Sequence, residues 1–184
     1  MKLITAIATY GYGIGYNNDL IIKSKLDLKQ FKEYTLGQTI AMGLNTFKSL
    51  GCKPLPGRTN YVVSRTKTKE DYDTYDNLFF VDSLNKVPDD SIVIGGEQLY
   101  KAALLDPRLT EMRITMFLYV IGGNTPNSLA IKELKYDTVF PVRILPEKLE
   151  LTNIEQFTDE NWSSPQIEDS KGVLRFEVGT YTCE

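Results

Sequence analysis

Short apolar runs rich in β-branched residues alternate with amphipathic stretches through the first two thirds of the chain. The apolar runs predict eight strands, over residues 2–9, 38–42, 60–64, 78–81, 91–94, 111–118, 150–157 and 174–181. Apolar residues at helical spacing predict three helices, over residues 25–35, 45–50 and 97–104. Because strands and helices alternate and strands alone follow, we expect a three-layer α/β fold. Its central sheet is twisted and mostly parallel, with about eight strands, helices on both faces and a C-terminal antiparallel hairpin.

Chain length and hydrophobic content indicate one compact unit. With 184 residues, 42% of them hydrophobic, the chain can bury a substantial core, and we expect a single domain over residues 1–184. The segment from Gly122 to Lys135 ("GGNTPNSLAIKELK") is the best candidate for an excursion between strands.

Charge and cysteine content argue against several classes of function. No stretch approaches the roughly 20 apolar residues of a membrane span, and the "MKLITAIA" start lacks the apolar segment of a signal peptide. A formal net charge of −3 disfavours a nucleic-acid partner, and Cys52 and Cys183 have neither metal-ligand nor disulfide spacing. We therefore expect a cytoplasmic monomer that binds no membrane, nucleic acid or metal.

The sequence contains no histidine. This excludes Ser-His and Cys-His nucleophile pairs and histidine-bound metals. Any acid–base step must use a carboxylate, Tyr, Lys or Cys, and one Asp or Glu with a pKa raised by burial is the simplest solution.

Three glycines, Gly11, Gly13 and Gly15, follow the first strand in "ATYGYGIGYNND". A dinucleotide-binding turn requires a G-x-G-x-x-G pattern that opens directly into a helix. Here the third glycine comes one position early and turn residues follow it. We therefore interpret the stretch as a mobile, glycine-rich loop.

Asp27 is the leading candidate for the tuned carboxylate, because on a helical wheel it shares an arc with Leu28, Phe31 and Thr35. Two interpretations remain open. Asp27 closes a capping box with Ser24 at the start of its helix, or it is a desolvated acid that binds or protonates a polar heterocycle.

Two strand-to-helix turns suit a nucleotide better than the opening glycines do. One strand ends at Gly95-Gly96 and another at Gly43, and a helix follows each immediately. If the strands are neighbours, the two turns share one extended pyrophosphate ligand; the alternative is a purely steric role for the glycines.

Polar and basic residues flank the third predicted strand on both sides. Arg58 follows the rigid turn "PLPG" and is placed to clamp a carboxylate, although a lone loop arginine is often only solvated. Ser64 and Arg65 end the next strand and are placed to meet a phosphate monoester or to form a basic loop.

Taken in order, these motifs resemble the dihydrofolate reductase family. The resemblance rests on "GIGYNNDL", "LDLKQFKEYTLG", "AMGLNTFKSLG", "PLPGRTNYVVSR", "VIGGEQLY" and "YDTVFP", which are distributed over most of the chain. It implies an NADPH-dependent reduction of 7,8-dihydrofolate to tetrahydrofolate, by hydride transfer to the pterin ring.

The resemblance also implies roles for individual residues. Asp27 and Thr115 take the catalytic positions, Asp27 supporting protonation of the pterin, and Arg58 holds the glutamate carboxylate. Dihydrofolate is bound by Ala6, Leu20, Asp27, Leu28, Phe31, Leu50, Leu55, Arg58, Ile94, Tyr100 and Thr115. NADPH is bound by Ile14, Gly15, Gly43, Asn45, Thr46, Ser64, Arg65, Gly95, Gly96, Glu97, Gln98, Leu99 and Tyr100.

Several positions depart from the family pattern. Ile21 and Ile22 stand where a Pro-Trp pair is usual, so an indole that helps to hold a water is missing. Leu44 stands where a basic residue near the cofactor phosphates is common. Arg65, on the neighbouring loop, would then have to supply the positive charge. On the first strand, Thr5 and Ile7 replace a more usual pair of one apolar and one small residue, which changes the floor of the pocket.

Three alternatives stay open beside the folate reaction. The first is a reductase of the same fold that acts on a ribosylated pyrimidine in flavin synthesis. The second is a folate-binding module with little turnover. In the third, Asp27 only caps its helix and the pocket serves another nucleotide.

Overall fold

The central sheet is built from strands that bury side chains on both faces. The computed structural model of the protein describes residues 1–72, 75–121, 131, 134–146, 148–167 and 172–183. The helices are α1 (Lys25–Thr35), α2 (Leu44–Ser49) and α3 (Glu97–Leu104). The strands are β1 (Lys2–Ala8), β2 (Gly13–Tyr16), β3 (Asp19–Leu20), β4 (Lys23–Ser24), β5 (Thr39–Gly43), β6 (Thr59–Val63), β7 (Leu78–Val81), β8 (Ile92–Gly95), β9 (Glu111–Ile121), β10 (Thr138–Val139), β11 (Leu149–Asp159), β12 (Trp162–Ser163) and β13 (Val173–Cys183).

Eight strands form one sheet in the order β11-β13-β9-β1-β8-β5-β6-β7. The six strands from β9 to β7 pair in parallel, whereas β13 pairs antiparallel with both β9 and β11. This topology confirms the predicted α/β fold with its C-terminal hairpin. Two small sheets, β10-β2-β3 and β12-β4, lie beside the large one.

Alternate residues of the central strands pack into different clusters, because side chains alternate between the faces of a sheet. Leu3 and Ala41 pack with Leu99 and Ala103 of α3. Their neighbours Ile4 and Ile40 pack in the cluster that holds Phe47 of α2, with Phe31 and Tyr34 of α1 against it. Helices therefore cover both faces, as predicted. None of the described helices is long and apolar enough to cross a membrane.

The alternation along β9 determines which of its residues meet α1. Met112 and Ile114 are buried on the α3 side of the sheet. Arg113 and Thr115, at the intervening positions, contact residues of α1 instead. Since Thr115 lies opposite Ala6 in the parallel ladder, β1 and β9 together form the floor beneath α1.

The element boundaries differ from the predictions at a few ends. α1 and α3 have the predicted bounds, whereas α2 begins at Leu44 and ends at Ser49, one residue early at each end. β9 continues to Ile121 because it pairs with the start of β13. The β2–β3 hairpin was not predicted, and Asn17 and Asn18 form its turn with φ of 51° and 59°. The expected excursion over residues 122–135 lies outside the described residues, apart from residues 131, 134 and 135.

The first turn of α1 is anchored by a distant carboxylate. Ser24 is the N-cap and accepts a hydrogen bond from the Asp27 backbone N–H, at 3.1 Å. The Ser24 hydroxyl donates to Asp159 Oδ2 at 2.5 Å, and the Leu26 N–H donates to the same oxygen at 3.1 Å. Asp159, at the end of β11, therefore holds the start of α1 in place.

Burial of Asp159 acts to raise its pKa, but hydrogen bonds from the Ser24 hydroxyl and from the Leu26, Asn161 and Lys25 N–H groups outweigh it. The pKa therefore lies below its ordinary value. A carboxylate whose pKa is lowered by folding stabilises the fold above its unfolded-state pKa of about 4, and this contribution is lost as the pH falls.

We predict that Asp159→Asn lowers the free energy of unfolding at pH 7 by about 1–3 kcal/mol, because the acceptor loses its charge. The deficit should shrink below pH 4, where the wild-type carboxylate also becomes protonated. Urea unfolding at several pH values measures this, with the exposed neighbour Glu160→Gln as control. A deficit independent of pH would contradict the electrostatic account.

Candidate active site

Asp27 and Thr115 meet where α1 crosses β9. The Thr115 hydroxyl donates a 2.7 Å hydrogen bond to Asp27 Oδ1. Thr115 is buried and Asp27 is partly buried. Ser24 caps the helix through the Asp27 N–H, while the Asp27 carboxylate contacts the sheet. The capping and site interpretations of this motif are thus compatible, since they use different atoms.

Burial raises the pKa of Asp27 above its ordinary value. The hydrogen bond from Thr115 and the positive charge of Arg113 oppose the shift without cancelling it. A carboxyl group in this environment retains a proton at higher pH than an exposed aspartate does. It therefore combines a proton source with a fixed orientation.

A small cavity of about 30 Å³ adjoins Asp27. Of its nine lining residues, Asp27 alone has a polar side chain. A cavity of this size holds about one water molecule, but a water needs two to four polar partners to be stable there. The cavity is lined by Ala6, Ala8, Gly13, Ile14, Leu20, Ile21, Ile22, Asp27 and Phe117.

The predicted slot residues lie in two groups. Ala6 and Leu20 line the cavity with Asp27, whereas Phe31, Leu55 and Ile94 pack against the cluster around Phe47. Ile14, predicted to bind the cofactor, also lines the cavity. Three predicted leucines keep a large part of their side chains in solvent, where an apolar ligand can cover them. These are Leu20, Leu28 and Leu50.

Arg58 is buried and held in a fixed position. Its Nε donates to the Pro56 carbonyl at 3.1 Å and its Nη1 donates to the Thr35 hydroxyl at 3.1 Å. Burial lowers the pKa of Arg58 from its ordinary value. A guanidinium taken from water in this way gains from binding an anion in its planar fork.

Two asparagines hold the turn that carries Arg58, and they were not predicted. Asn60 accepts from the Leu55 N–H at 2.9 Å and donates to the Leu55 and Arg58 carbonyls. Asn77 donates to the Arg58 carbonyl at 3.0 Å. The sequence gives no local signal for these bonds beyond the presence of amides near a proline turn.

The two glycine turns converge, as the pairing of neighbouring strands requires. β5 pairs with β8, with Met42 opposite Gly95. A Cβ added to Gly43 would lie 3.6 Å from the Gly96 nitrogen, and one added to Gly96 would lie 3.2 Å from Thr46 Oγ1. The Tyr100 hydroxyl, which donates to the Ile4 carbonyl at 2.8 Å, would lie 3.4 Å from a Cβ on Gly95. The backbone thus forms a cradle that side chains would fill, which suits a phosphate-bearing cofactor.

The other predicted cofactor residues surround this cradle unevenly. Asn45, Arg65 and Gln98 are exposed. The Ser64 hydroxyl accepts from the Thr66 and Lys67 N–H groups, so it also shapes its loop. Glu97 pairs with Lys101 at 2.6 Å, whereas Leu99, also in α3, is buried in the core.

The glycine-rich loop is held by the segment around β10. Gly15 lies opposite Thr138 in the β2–β10 pair, and the Asn17 N–H donates to Asp137 Oδ2 at 2.8 Å. Tyr136 packs on the loop so closely that a Cβ on Gly11 would lie 2.1 Å from its hydroxyl oxygen. A side chain larger than that of glycine at position 11 would therefore collide with the Tyr136 ring. The mobility of the loop stays a prediction.

Comparison with known proteins identifies the family of the chain. The family model described as dihydrofolate reductase matches residues 1–164. The chain belongs to the dihydrofolate reductase family. It is 35% identical over 144 residues to dihydrofolate reductase type 3 of Salmonella typhimurium, covering 74% of this chain and 87% of that protein.

Two further relatives differ in length. Dihydrofolate reductase of Pneumocystis carinii is 28% identical over 209 residues, a match that covers 98% of this chain and 86% of that protein. The bifunctional dihydrofolate reductase-thymidylate synthase of Paramecium tetraurelia is 33% identical over 120 residues, covering 62% of this chain. The chain spans 25% of that bifunctional relative's length. The family consists of oxidoreductases that use dihydrofolate and a nicotinamide cofactor.

Several residues that line the cavity beside Asp27 were not predicted from the sequence as site residues. Ala8 and Phe117 lie opposite each other in the β1–β9 ladder, two positions beyond Ala6 and Thr115. The period of two along both strands would have identified them as members of the same face. Ile21 was noted only as a departure from the family pattern, yet it lines the cavity.

We predict that Gly43→Ala folds with nearly unchanged stability but binds a nicotinamide cofactor more weakly. Its φ of −75° suits alanine, and the nearest atoms to the added Cβ lie at van der Waals distance, 3.6 and 3.7 Å. The methyl group would nevertheless occupy the cradle. Fluorescence titration with cofactor and thermal unfolding measure the two effects, and an unchanged Kd would show that the cradle holds no part of the cofactor.

Proposed function

We propose that the chain catalyses the NADPH-dependent reduction of 7,8-dihydrofolate to 5,6,7,8-tetrahydrofolate, with Asp27 as the essential carboxylate. The observation that carries the proposal is the bond from Thr115 to Asp27 beside an otherwise apolar cavity. Relatives that bear the name dihydrofolate reductase support the reaction type.

Asp27 binds the pterin ring and supports protonation at N5. Thr115 occupies Oδ1, and in this proposal the other carboxylate oxygen faces the ring. Because burial raises the pKa of Asp27, the group carries a proton into a range where exposed carboxylates are ionised. With no histidine in the chain, this is the simplest available acid.

The apolar lining of the cavity limits which groups can assist proton transfer from Asp27 to the pterin ring. Ile21 and Ile22 are buried where an indole N–H would otherwise help to hold a water. In this proposal the Asp27 carboxyl therefore acts on the ring with little help from neighbouring side chains. A dry pocket also strengthens each electrostatic contact that Asp27 makes.

Arg58 binds the glutamate carboxylate of the substrate. Its support by Pro56 and Thr35 fixes the guanidinium, and its burial favours a charged partner. Phe31, Leu28 and Leu55 supply apolar surface for the part of the substrate between ring and carboxylate.

Gly43, Gly95 and Gly96 hold the cofactor's pyrophosphate through their backbone, and Ser64 and Arg65 meet its 2′-phosphate. When bound, the cofactor supplies the hydride for the ring carbon next to N5. The chain's own part is to orient the ring, exclude water and hold the proton at Asp27.

We predict that Asp27→Asn lowers turnover at pH 7 by about 100-fold or more, because an amide cannot supply the proton. The loss should shrink at acidic pH, where dihydrofolate takes its proton from solvent. Cofactor binding should stay nearly intact. Following NADPH oxidation with and without dihydrofolate measures this, with Asp90→Asn, an exposed aspartate just before β8, as control.

Full activity of Asp27→Asn at neutral pH would defeat the assigned role. Tight folate binding with negligible turnover of the wild type would instead favour a binding module.

We predict that Arg65→Ala weakens NADPH binding roughly tenfold while leaving NADH binding unchanged, as expected for one lost charge-assisted contact to the 2′-phosphate. Lys67→Ala is the matched control, because Lys67 is already paired with Asp71 at 2.9 Å. Fluorescence titration with each cofactor measures both. Equal NADPH affinity in Arg65→Ala and wild type would rule out compensation for Leu44.

A further inference from the structure

Three polar contacts join one side of α1 to one side of β9. Asp27 accepts from Thr115, Gln30 accepts from Arg113 at 3.2 Å, and Tyr34 donates to Glu111. The helix partners are separated by three and four residues and the strand partners by two, so each set lies on a single face. We call these three contacts the α1–β9 polar ladder.

Arg113 is the central residue of the ladder on β9, and it carries the ladder's positive charge. Its guanidinium lies 5.4 Å from the centroid of the Tyr34 ring, and its Nη2 lies 3.8 Å from Glu155 Oε1. Its side chain is 18% exposed, in a cavity of about 410 Å³ on the side of α1 near β11. Three elements, α1, β9 and β11, therefore meet at this residue, which lies outside the cavity beside Asp27.

We propose that Arg113 is a positioning residue for Asp27, which it orients through the polar ladder and whose ionised form it favours through its charge. This inference rests on the proposed role of Asp27. Gln30 is one helical turn after Asp27, so its bond to Arg113 fixes the roll of α1 over Thr115. The guanidinium lies on the same strand face as Thr115, two residues away, where a positive charge stabilises the carboxylate.

Other charges in this region modulate that effect. Glu155 on β11 partly neutralises Arg113 from the solvent side. Tyr34 stays protonated, since burial and its bond to Glu111 raise its pKa. On β13, Val178 and Thr180, opposite Thr115 and Arg113, are uncharged. Further titratable groups on the described parts of these elements include Lys2 on β1, Lys25, Lys29 and Glu33 on α1, Glu111 on β9, Asp159 at the end of β11, Cys183 on β13, and the Asp19–Lys23 ion pair before α1.

The test compares four variants. Arg113→Met removes the charge and keeps the bulk, Arg113→Lys keeps the charge, and Glu155→Gln removes the opposing charge. Arg175→Met is the matched control, because Arg175 also lies over a tyrosine ring of β9, 5.9 Å from the centroid of Tyr119, but outside the ladder. The readouts are the Asp27 carboxyl titration by ¹³C NMR, the pH profile of kcat/KM for dihydrofolate, and thermal unfolding.

In Arg113→Met, both the Asp27 titration and the alkaline limb of the profile should shift to higher pH. In Glu155→Gln they should shift to lower pH, while Arg113→Lys should restore most of the wild-type position. KM for dihydrofolate should change less than kcat does at alkaline pH, because Arg113 does not touch the substrate.

An Asp27 titration in folded Arg113→Met that overlays both wild type and Arg175→Met would overturn the proposal. That failure is distinct from failure of the Asp27 role. If Asp27→Asn keeps full activity, the proposed function fails. If Asp27→Asn is inactive and Arg113→Met titrates normally, only the inference about Arg113 fails.

Discussion

The hydrogen bond from Thr115 to Asp27 is the contact on which the rest of the site depends. It joins a helix to a strand of the central sheet at the edge of an apolar cavity, where a carboxylate is costly unless it is oriented and bonded. Burial therefore explains both the raised pKa and the need for a fixed partner. The parallel ladder of β1 and β9 supplies the floor, and α1 supplies the acid.

The position of that acid is fixed from the far end of the chain. Asp159 binds Ser24, 135 residues away in sequence, and Ser24 caps the N–H of Asp27. The C-terminal hairpin thus contributes more than sheet area, because its first strand ends in the residue that anchors α1. The same strand carries Glu155, which faces Arg113. One strand of the hairpin therefore supplies both the anchor of α1 and the acidic neighbour of Arg113.

Local patterns predicted the sheet, the bounds of α1 and α3 and the inward face of Asp27, because periodicity and capping residues are encoded nearby. The anchors were not predictable in the same way. Asp159, Asn77 and Tyr136 look like ordinary loop or strand-end residues until the fold brings them to Ser24, Arg58 and Gly11. Gly11 was predicted only as part of a mobile glycine-rich loop, and nothing local indicated that it makes room for the Tyr136 ring. Long-range contacts of this kind leave no periodic trace in a single sequence.

The most direct test of the account is a crystal structure of the chain with folate and oxidised cofactor bound. We expect the pterin ring within hydrogen-bond distance of the Asp27 carboxylate, the glutamate carboxylate on Arg58, and the pyrophosphate between Gly43 and Gly95-Gly96. A pterin ring that lies away from Asp27, while the Thr115–Asp27 hydrogen bond remains intact, would contradict the central claim.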